Sequence, residues 1–299
     1  MSRVAWSRLI RFTTSNSKLP VYGEPIAADF SDIGALADQG KLEAKLIQTD
    51  ETGPLSESAK VTEKVVKVDR LLGPLGFDTC TDIKCIGLNY KKHIQEGGRS
   101  PPPLPQVFIK PVTSLGDYNE AVEIPKCAQE GEADYEAELV VVIGKDAKNV
   151  SKEDALDYVA GYTVGDDVST RKWQRNPERV GGVPQWAFSK GFDKFAPLGP
   201  VIVSSKVIPD PSQLYISLTV NGDLRQQSPT ADLLFNVPYI ISFLSQGTTL
   251  RRGTVIMTGT PSGVGCTGPE EKWRPLVDGD ELEVSISEIG TLRHTIRYE

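Results

Sequence analysis

Asp134-Tyr135-Glu136-Ala137-Glu138 sets three acids at alternate positions. In an extended chain, side chains alternate between faces. Asp134, Glu136 and Glu138 would therefore share one face, with neighbours about 7 Å apart. Carboxylates at that separation repel unless a cation or a proton intervenes. They also lead directly into the apolar run Leu139 to Ile143, where uncompensated charge is costly to bury. The competing reading is a solvated acidic edge at the start of a strand. Gly165-Asp166-Asp167-Val168-Ser169 offers further acids from a second strand. If that segment is extended, Asp166 and Asp167 point to opposite faces, and only one can enter a given pocket. The alternative is an Asp that caps a helix beginning near Ser169. An all-oxygen set with no nearby Cys or paired His suits Mg²⁺, Mn²⁺ or Ca²⁺ better than zinc.

His93 and Glu96 lie three residues apart, within reach on one helical turn. A carboxylate beside a histidine fixes its tautomer and raises its basicity, as a general base requires. An ordinary surface pair has the same spacing. Lys190 sits among Ala187, Phe188, Ser189, Gly191 and Phe192. It can stabilise developing negative charge or simply snorkel from a part-buried stem. His294, in the last strand with no acid near it in sequence, reads as structural. The Gly-rich turn 259–268 lacks the GK[ST] ending of a phosphate loop, although its N–H groups could bind a carboxylate. No GxSxG or HExxH occurs in the chain.

Short strands must position these groups. Strand patterns cover 4–12, 84–88, 106–110, 138–143, 161–164, 214–220 and 254–258, with a final hairpin, 282–289 and 291–297, around Gly290. Asn221-Gly222 reads as a hairpin turn, and Tyr22-Gly23-Glu24-Pro25 as another turn. Ser151 and Asp154 resemble a capping box opening a helix that ends near Gly161. Residues 237–245 read as a helix closed by Gly247. Many strands with few helices imply a β-rich α+β fold. A soft boundary near residue 75 divides an N-terminal region, 1–75, from a catalytic domain, 76–299.

The 299 residues carry 33 basic and 40 acidic groups, a net charge of −7 that gives no general attraction to nucleic acid or to anionic membrane. No apolar run reaches the length of roughly 20 residues that spans a bilayer. Four cysteines without a CxxC pair imply reduced, mostly buried thiols. Before Glu24 there are no acids, but Arg3, Arg8, Arg11 and Lys18 stand among Ser and Thr. That is the composition of a transit peptide. A strand with Val4, Trp6, Ile10 and Phe12 at even positions is the favoured reading. A cytoplasmic location follows, with a mitochondrial one as the alternative.

Seven stretches, taken in order, resemble the fumarylacetoacetate hydrolase family. They are GLNYKKHIQE (87–96), QVFIKPVTSL (106–115), DYEAELVVVIGK (134–145), GYTVGDDVSTRKWQ (161–174), AFSKGFDKFAPLGP (187–200), VNGDLRQ (220–226) and MTGTPSGVG (257–265). The resemblance implies a mixed β-roll catalytic domain, assembled as a homodimer. It implies Mg²⁺ held by Glu136, Glu138 and Asp167, and it chooses Asp167 over Asp166. It places His93 and Glu96 on a catalytic lid, makes Lys190 a charge-stabilising group, and puts Arg171, Gln174 and Thr260 against the substrate. Lys172 departs from the family pattern, where an acid is common, so local salt bridging is expected to differ. The implied substrate is a small 2-oxo or 2,4-dioxo acid. The implied reaction is C–C hydrolysis of an acylpyruvate or fumarylpyruvate. Oxaloacetate tautomerisation or decarboxylation is the alternative, and a catalytically silent dicarboxylate-binding relative or scaffold is the reading of another class.

Overall fold

The computed structural model describes residues 4–28 and 31–299. Its largest element is a 12-stranded sheet. The main path runs Lys60–Lys67, Glu43–Gln48, Ser17–Ile26, Arg8–Thr14, Ala196–Ser204, Val159–Asp166, Ala137–Ile143, Thr254–Met257, Asp82–Gly87 and Gln106–Lys110. A five-stranded sheet, Asp223–Pro229, Tyr215–Val220, Glu281–Ile286, Gly290–Tyr298 and Ala121–Ile124, covers one face of it. The β-rich expectation holds.

The central strand Ala137–Ile143 is buried throughout. Leu139, Val141 and Ile143 pack with Leu218, Val284 and Leu292 beneath the five-stranded sheet. Val140 and Val142 pack on the opposite side with Leu198, Ile202, Met257 and Cys85. Burial on both faces explains why this strand reads as a continuous apolar run rather than an alternating one. Glu138 shares its face with Val140 and Val142, so it projects into the layer that includes Cys85 and Phe108.

The chain leaves this ladder immediately before Ala137. Ala133–Asp134 forms a separate two-stranded ladder with Ser169–Thr170. The 137–143 strand instead pairs antiparallel with Val159–Asp166, Ala137 opposite Asp166. The interruption at 135–136 turns Asp134 away from the other two acids.

Two local expectations fail. Tyr22-Gly23-Glu24-Pro25 lies inside the strand Ser17–Ile26 and makes no turn. A Cβ on Gly23 would stand 2.9 Å from both the Lys45 carbonyl and the Phe12 ring. The glycine is there for close approach between strands, not for reversal. The helix expected over 151–161 is only the 3₁₀ turn Ala155–Tyr158, and the next strand already begins at Val159. The local bond from Ser151 Oγ to Asp154 does form, but β-branched and aromatic residues from Val159 onward pair with the central strand instead. The hairpin at Asn221-Gly222 has both residues at positive φ, 51° and 81°, as a tight primed turn requires. The 237–245 expectation is met by the helix Val237–Leu244.

At the N-terminus Val4 and Trp6 are buried, and the strand itself begins at Arg8. Arg8 donates to the carbonyls of Ala27 and Ala28, and Arg11 pairs with Asp117 at 2.9 Å. Arg3 lies outside the described residues. No described helix is long and apolar enough to cross a membrane.

Candidate active site

Glu136, Glu138 and Asp167 are buried. Each offers an oxygen, and these oxygens lie within 4.8 Å of one another. Glu138 comes from the start of the central strand, Glu136 from the residue just before it, and Asp167 from the residue after the strand paired with it. Alternation separates the two aspartates as the sequence requires. Asp167 enters the cluster, while Asp166 accepts from the Glu136 N–H at 2.8 Å and lies 2.9 Å from His294 Nε2. His294 is thus fully buried and paired with an acid that its sequence neighbourhood did not disclose.

The carboxylates are held by buried cations. Lys190, at the end of the helix Trp186–Lys190, donates to Glu136 at 2.9 Å, Asp167 at 2.7 Å and Ser169 at 2.6 Å. Lys110 donates to Asp167 and to the Phe195 carbonyl, each at 2.5 Å. Arg171 bridges Asp134 and Glu136, both at 2.7 Å. Burial alone would raise the Glu136 carboxyl, but Lys190 and Arg171 outweigh it and hold the group well below the usual range. Burial likewise works against the Lys190 ammonium, and Asp167 and Glu136 more than offset it.

Glu138 is different. Its one hydrogen bond among the described residues is accepted from the Gly259 N–H. Burial, then the charges of Asp167 and Glu136, push its carboxyl well above the ordinary range. Gly259 has φ +110°, and a Cβ there would meet the Asn89 side chain at 2.7 Å, so only glycine brings that N–H so close. Lys110, Arg171 and Lys190 pair with Asp167, Glu136 and Asp134, but no cation pairs with Glu138 among the described residues. Three hard oxygen donors at this spacing, one of them without a cationic partner, fit a divalent cation held at about 2.0–2.6 Å from each oxygen.

The other wall of the pocket carries the helix Lys91–Glu96. His93 Nδ1 lies 2.9 Å from one Glu96 oxygen, and the second accepts from the Gly263 N–H at 2.9 Å. Glu96 therefore both orients the imidazole and docks this helix on the Gly-rich turn. A carboxylate at Nδ1 places the proton there and leaves Nε2 to act as base.

Thr260 lies on that turn and lines the pocket with His93, Glu136, Arg171, Gln174 and Lys190. Gln226 fixes its hydroxyl. The Gln226 carbonyl accepts from the Ala137 N–H at 2.9 Å, so its amide must donate to Thr260 Oγ1 at 2.9 Å and to the Pro261 carbonyl at 2.8 Å. Since Thr260 Oγ1 accepts that bond, its own proton is free to point at a ligand. Gln174 accepts from Arg171 at 3.1 Å. Lys172 pairs loosely with Glu130 at 3.8 Å, and its backbone N–H goes to Glu132.

All nine residues singled out from the sequence are therefore brought to this region. Sequence reasoning passed over Lys110, Gln226 and Asn89. Asn89 ties the carbonyls of Thr258 and Phe235 together beneath the turn. Each acts through partners far along the chain, and the only available signal was membership of the stretches at 87–96, 106–115 and 220–226.

A β-roll-like mixed sheet with glutamates just before and just inside its central strand, an aspartate just past the paired strand and a histidine helix defines a class. The chain belongs to the fumarylacetoacetate hydrolase family, whose C-terminal-domain profile matches residues 82–297. Within it the chain falls in the branch that contains acylpyruvases and oxaloacetate tautomerases. It is 42% identical to caffeoylpyruvate hydrolase of Neonothopanus nambi over 298 residues, 98% of this chain and 94% of that one. It is 36% identical to the mitochondrial oxaloacetate tautomerase fahd2 of Xenopus laevis, over 97% of this chain and 90% of that one. The crystal structure of 2-hydroxyhepta-2,4-diene-1,7-dioate isomerase from Mycobacterium marinum superposes with a TM-score of 0.78 at 30% identity, covering 98% of this chain and 99% of that one. The chain is thus an enzyme of a family whose named members are hydrolases, isomerases and tautomerases.

Proposed function

We propose that this enzyme is an Mg²⁺-dependent hydrolase that cleaves a C–C bond in a small 2,4-dioxo acid. The observation that carries this reading is one pocket lined both by Glu136, a member of the three-carboxylate cluster, and by a histidine whose tautomer is set by Glu96. The ion, when bound, would supply Lewis-acid polarisation at the 2-oxo end of the substrate.

The protein's own groups do the rest. Thr260, its proton directed by Gln226, donates to the substrate carboxylate. His93 Nε2 takes a proton from water as the water oxygen attacks the C4 carbonyl. The C3–C4 bond breaks, its electron pair passes to C3, and C3 is protonated. The products are pyruvate and a carboxylic acid. Lys190 and Lys110 fix Glu136 and Asp167 in place, and Gln174 and Arg171 wall the site. The 42% identity to caffeoylpyruvate hydrolase supports the hydrolytic outcome. The 36% identity to an oxaloacetate tautomerase supports the second reading, in which the same residues only move a proton.

The family resemblance supports a homodimer. The outer strand Gln106–Lys110 exposes Val107 and Ile109, an apolar edge that a second copy would cover. Location in cytoplasm or mitochondrion fits either activity.

The test uses metal-stripped protein with and without Mg²⁺ on acetylpyruvate, fumarylpyruvate, caffeoylpyruvate and enol-oxaloacetate. Metal-dependent loss of diketo absorbance is expected, and Glu136→Ala abolishes it. Loss of the enol without CO₂ would replace the hydrolase by a tautomerase, and CO₂ release by a decarboxylase. No metal-dependent turnover of any substrate would favour a silent binding relative.

A further inference from the structure

We propose that Arg99 and Arg175 form an anion-recognition site at the acyl end of the pocket, selecting 2,4-dioxo acids whose acyl chain ends in a second carboxylate. This names the substrate class of the hydrolase proposed above and rests on that reading.

The side chains that line the pocket include Arg99, Arg171, Arg175, Lys190 and His93, but only one acid, Glu136. Two of those cations are already committed: Arg171 to Asp134 and Glu136, and Lys190 to Glu136 and Asp167. Arg99 and Arg175 form no close ion pair among the described residues; the carboxylate that acts most on Arg175 is Asp134, which is already paired with Arg171. Arg175 donates Nη2 to the Cys266 carbonyl at 2.5 Å, and its guanidinium lies 5.3 Å from the Trp273 ring. Neither contact neutralises it. Burial, then the positive charge of Arg171 and more weakly that of Arg99, push Arg175 below the usual arginine range. Arg99 follows the His93 helix, and its backbone N–H is bonded to Ile94.

Position along the helix Arg171–Arg175 fixes which end of the substrate these groups meet. Arg171 touches the metal-site Glu136. Arg175 is one turn further on the same face, about 6 Å along the axis. The lining of the same pocket also includes Phe108, Pro184 and Trp186, apolar surface suited to a short carbon chain. Two guanidiniums from different elements facing one cavity repel unless an anion sits between them. A terminal carboxylate, bound through N–H groups of both, supplies it and matches their planar donor geometry.

Two measurements on the Mg²⁺-loaded enzyme test this. The first is calorimetric titration with 2-oxoadipate and 2-oxohexanoate, which keep the 2-oxo acid and differ at the far carboxylate. The diacid is expected to bind about tenfold tighter or better, with the difference largely lost in Arg175→Gln and in Arg99→Gln and partly kept in Arg175→Lys. The second is the ratio of kcat/KM for fumarylpyruvate over acetylpyruvate, expected to fall by a similar factor in both Gln variants, mainly through KM. Equal binding of the two oxo acids, or unchanged ratios in both variants, would overturn the anion site even if hydrolysis proceeds. Preferential diacid binding without turnover of any dioxo acid would keep the site and sink the hydrolase reading instead.

Discussion

Exchanging Gln226 for glutamate tests whether Thr260 acts through the direction of its proton. The variant is nearly isosteric, and one carboxylate oxygen can still accept from the Ala137 N–H. The other replaces the amide that donates to Thr260 Oγ1 and to the Pro261 carbonyl. An ionised carboxylate at this position would turn the Thr260 hydroxyl back on itself, away from the pocket. A protonated one could donate to Thr260 or to Pro261, but not to both. In the ionised state the substrate loses one hydrogen bond to a charged group, about 1.5–3 kcal/mol, or roughly ten- to 150-fold in kcat/KM. Steady-state kinetics on the best 2,4-dioxo acid, with a melting curve to show that Gln226→Glu folds, measures this. Thr260→Val should cost a similar factor, and the double variant little more than either single one. A Gln226→Glu enzyme within about twofold of the parent, or strictly additive losses, would refute the proton-direction argument.

Lys110→Met removes a fully buried ammonium from Asp167. Breaking such a pair costs about 3–5 kcal/mol, or roughly 6–20 °C in Tm for a large domain. The drop should be largest in chelator and smaller in excess Mg²⁺, because a bound cation answers the orphaned charge. Equal drops in both would argue against a cation at the carboxylates. Thiol chemistry offers a separate check. Burial pushes Cys80 up to about 12 and raises Cys85 and Cys266 as well, whereas Cys127 is exposed. Native protein at pH 8 should label at one thiol and unfolded protein at all four; fast native labelling of a second would contradict the packing around it.

Much of the site was legible because it depends on short-range rules. Alternation along a strand put Asp166 and Asp167 on opposite faces, and one helical turn joined His93 to Glu96. The same rule failed at Asp134, because the ladder breaks at 135–136 and the pairing partner changes. Lys110 reaches Asp167 across 57 positions and Gln226 reaches Ala137 across 89. Neither contact leaves a local pattern. Gly23 misled for a related reason: glycine marks a turn when the chain must reverse, but here it makes room for Phe12 and the 43–48 strand. At 151–161 the local cap formed, yet pairing with the central strand claimed the residues beyond Tyr158.

The order of strands in the large sheet also bears on how the chain is made. The strand at 8–14 lies against the one at 196–204, with Arg8 opposite Val203, and the 82–87 strand waits for the parallel one at 254–257, with Ile83 opposite Val255. On the ribosome the segment bearing Glu136, Glu138 and Asp167 can fold against itself early, since its two strands are neighbours in sequence. The flanks of that hairpin close only after most of the chain has been synthesised. Long-range pairings of this kind slow folding, and until Thr254–Met257 arrives the 82–87 strand offers an open edge to other chains. Stalling or truncation before residue 254 would therefore yield a collapsed, carboxylate-bearing fragment prone to aggregate, rather than a smaller working enzyme.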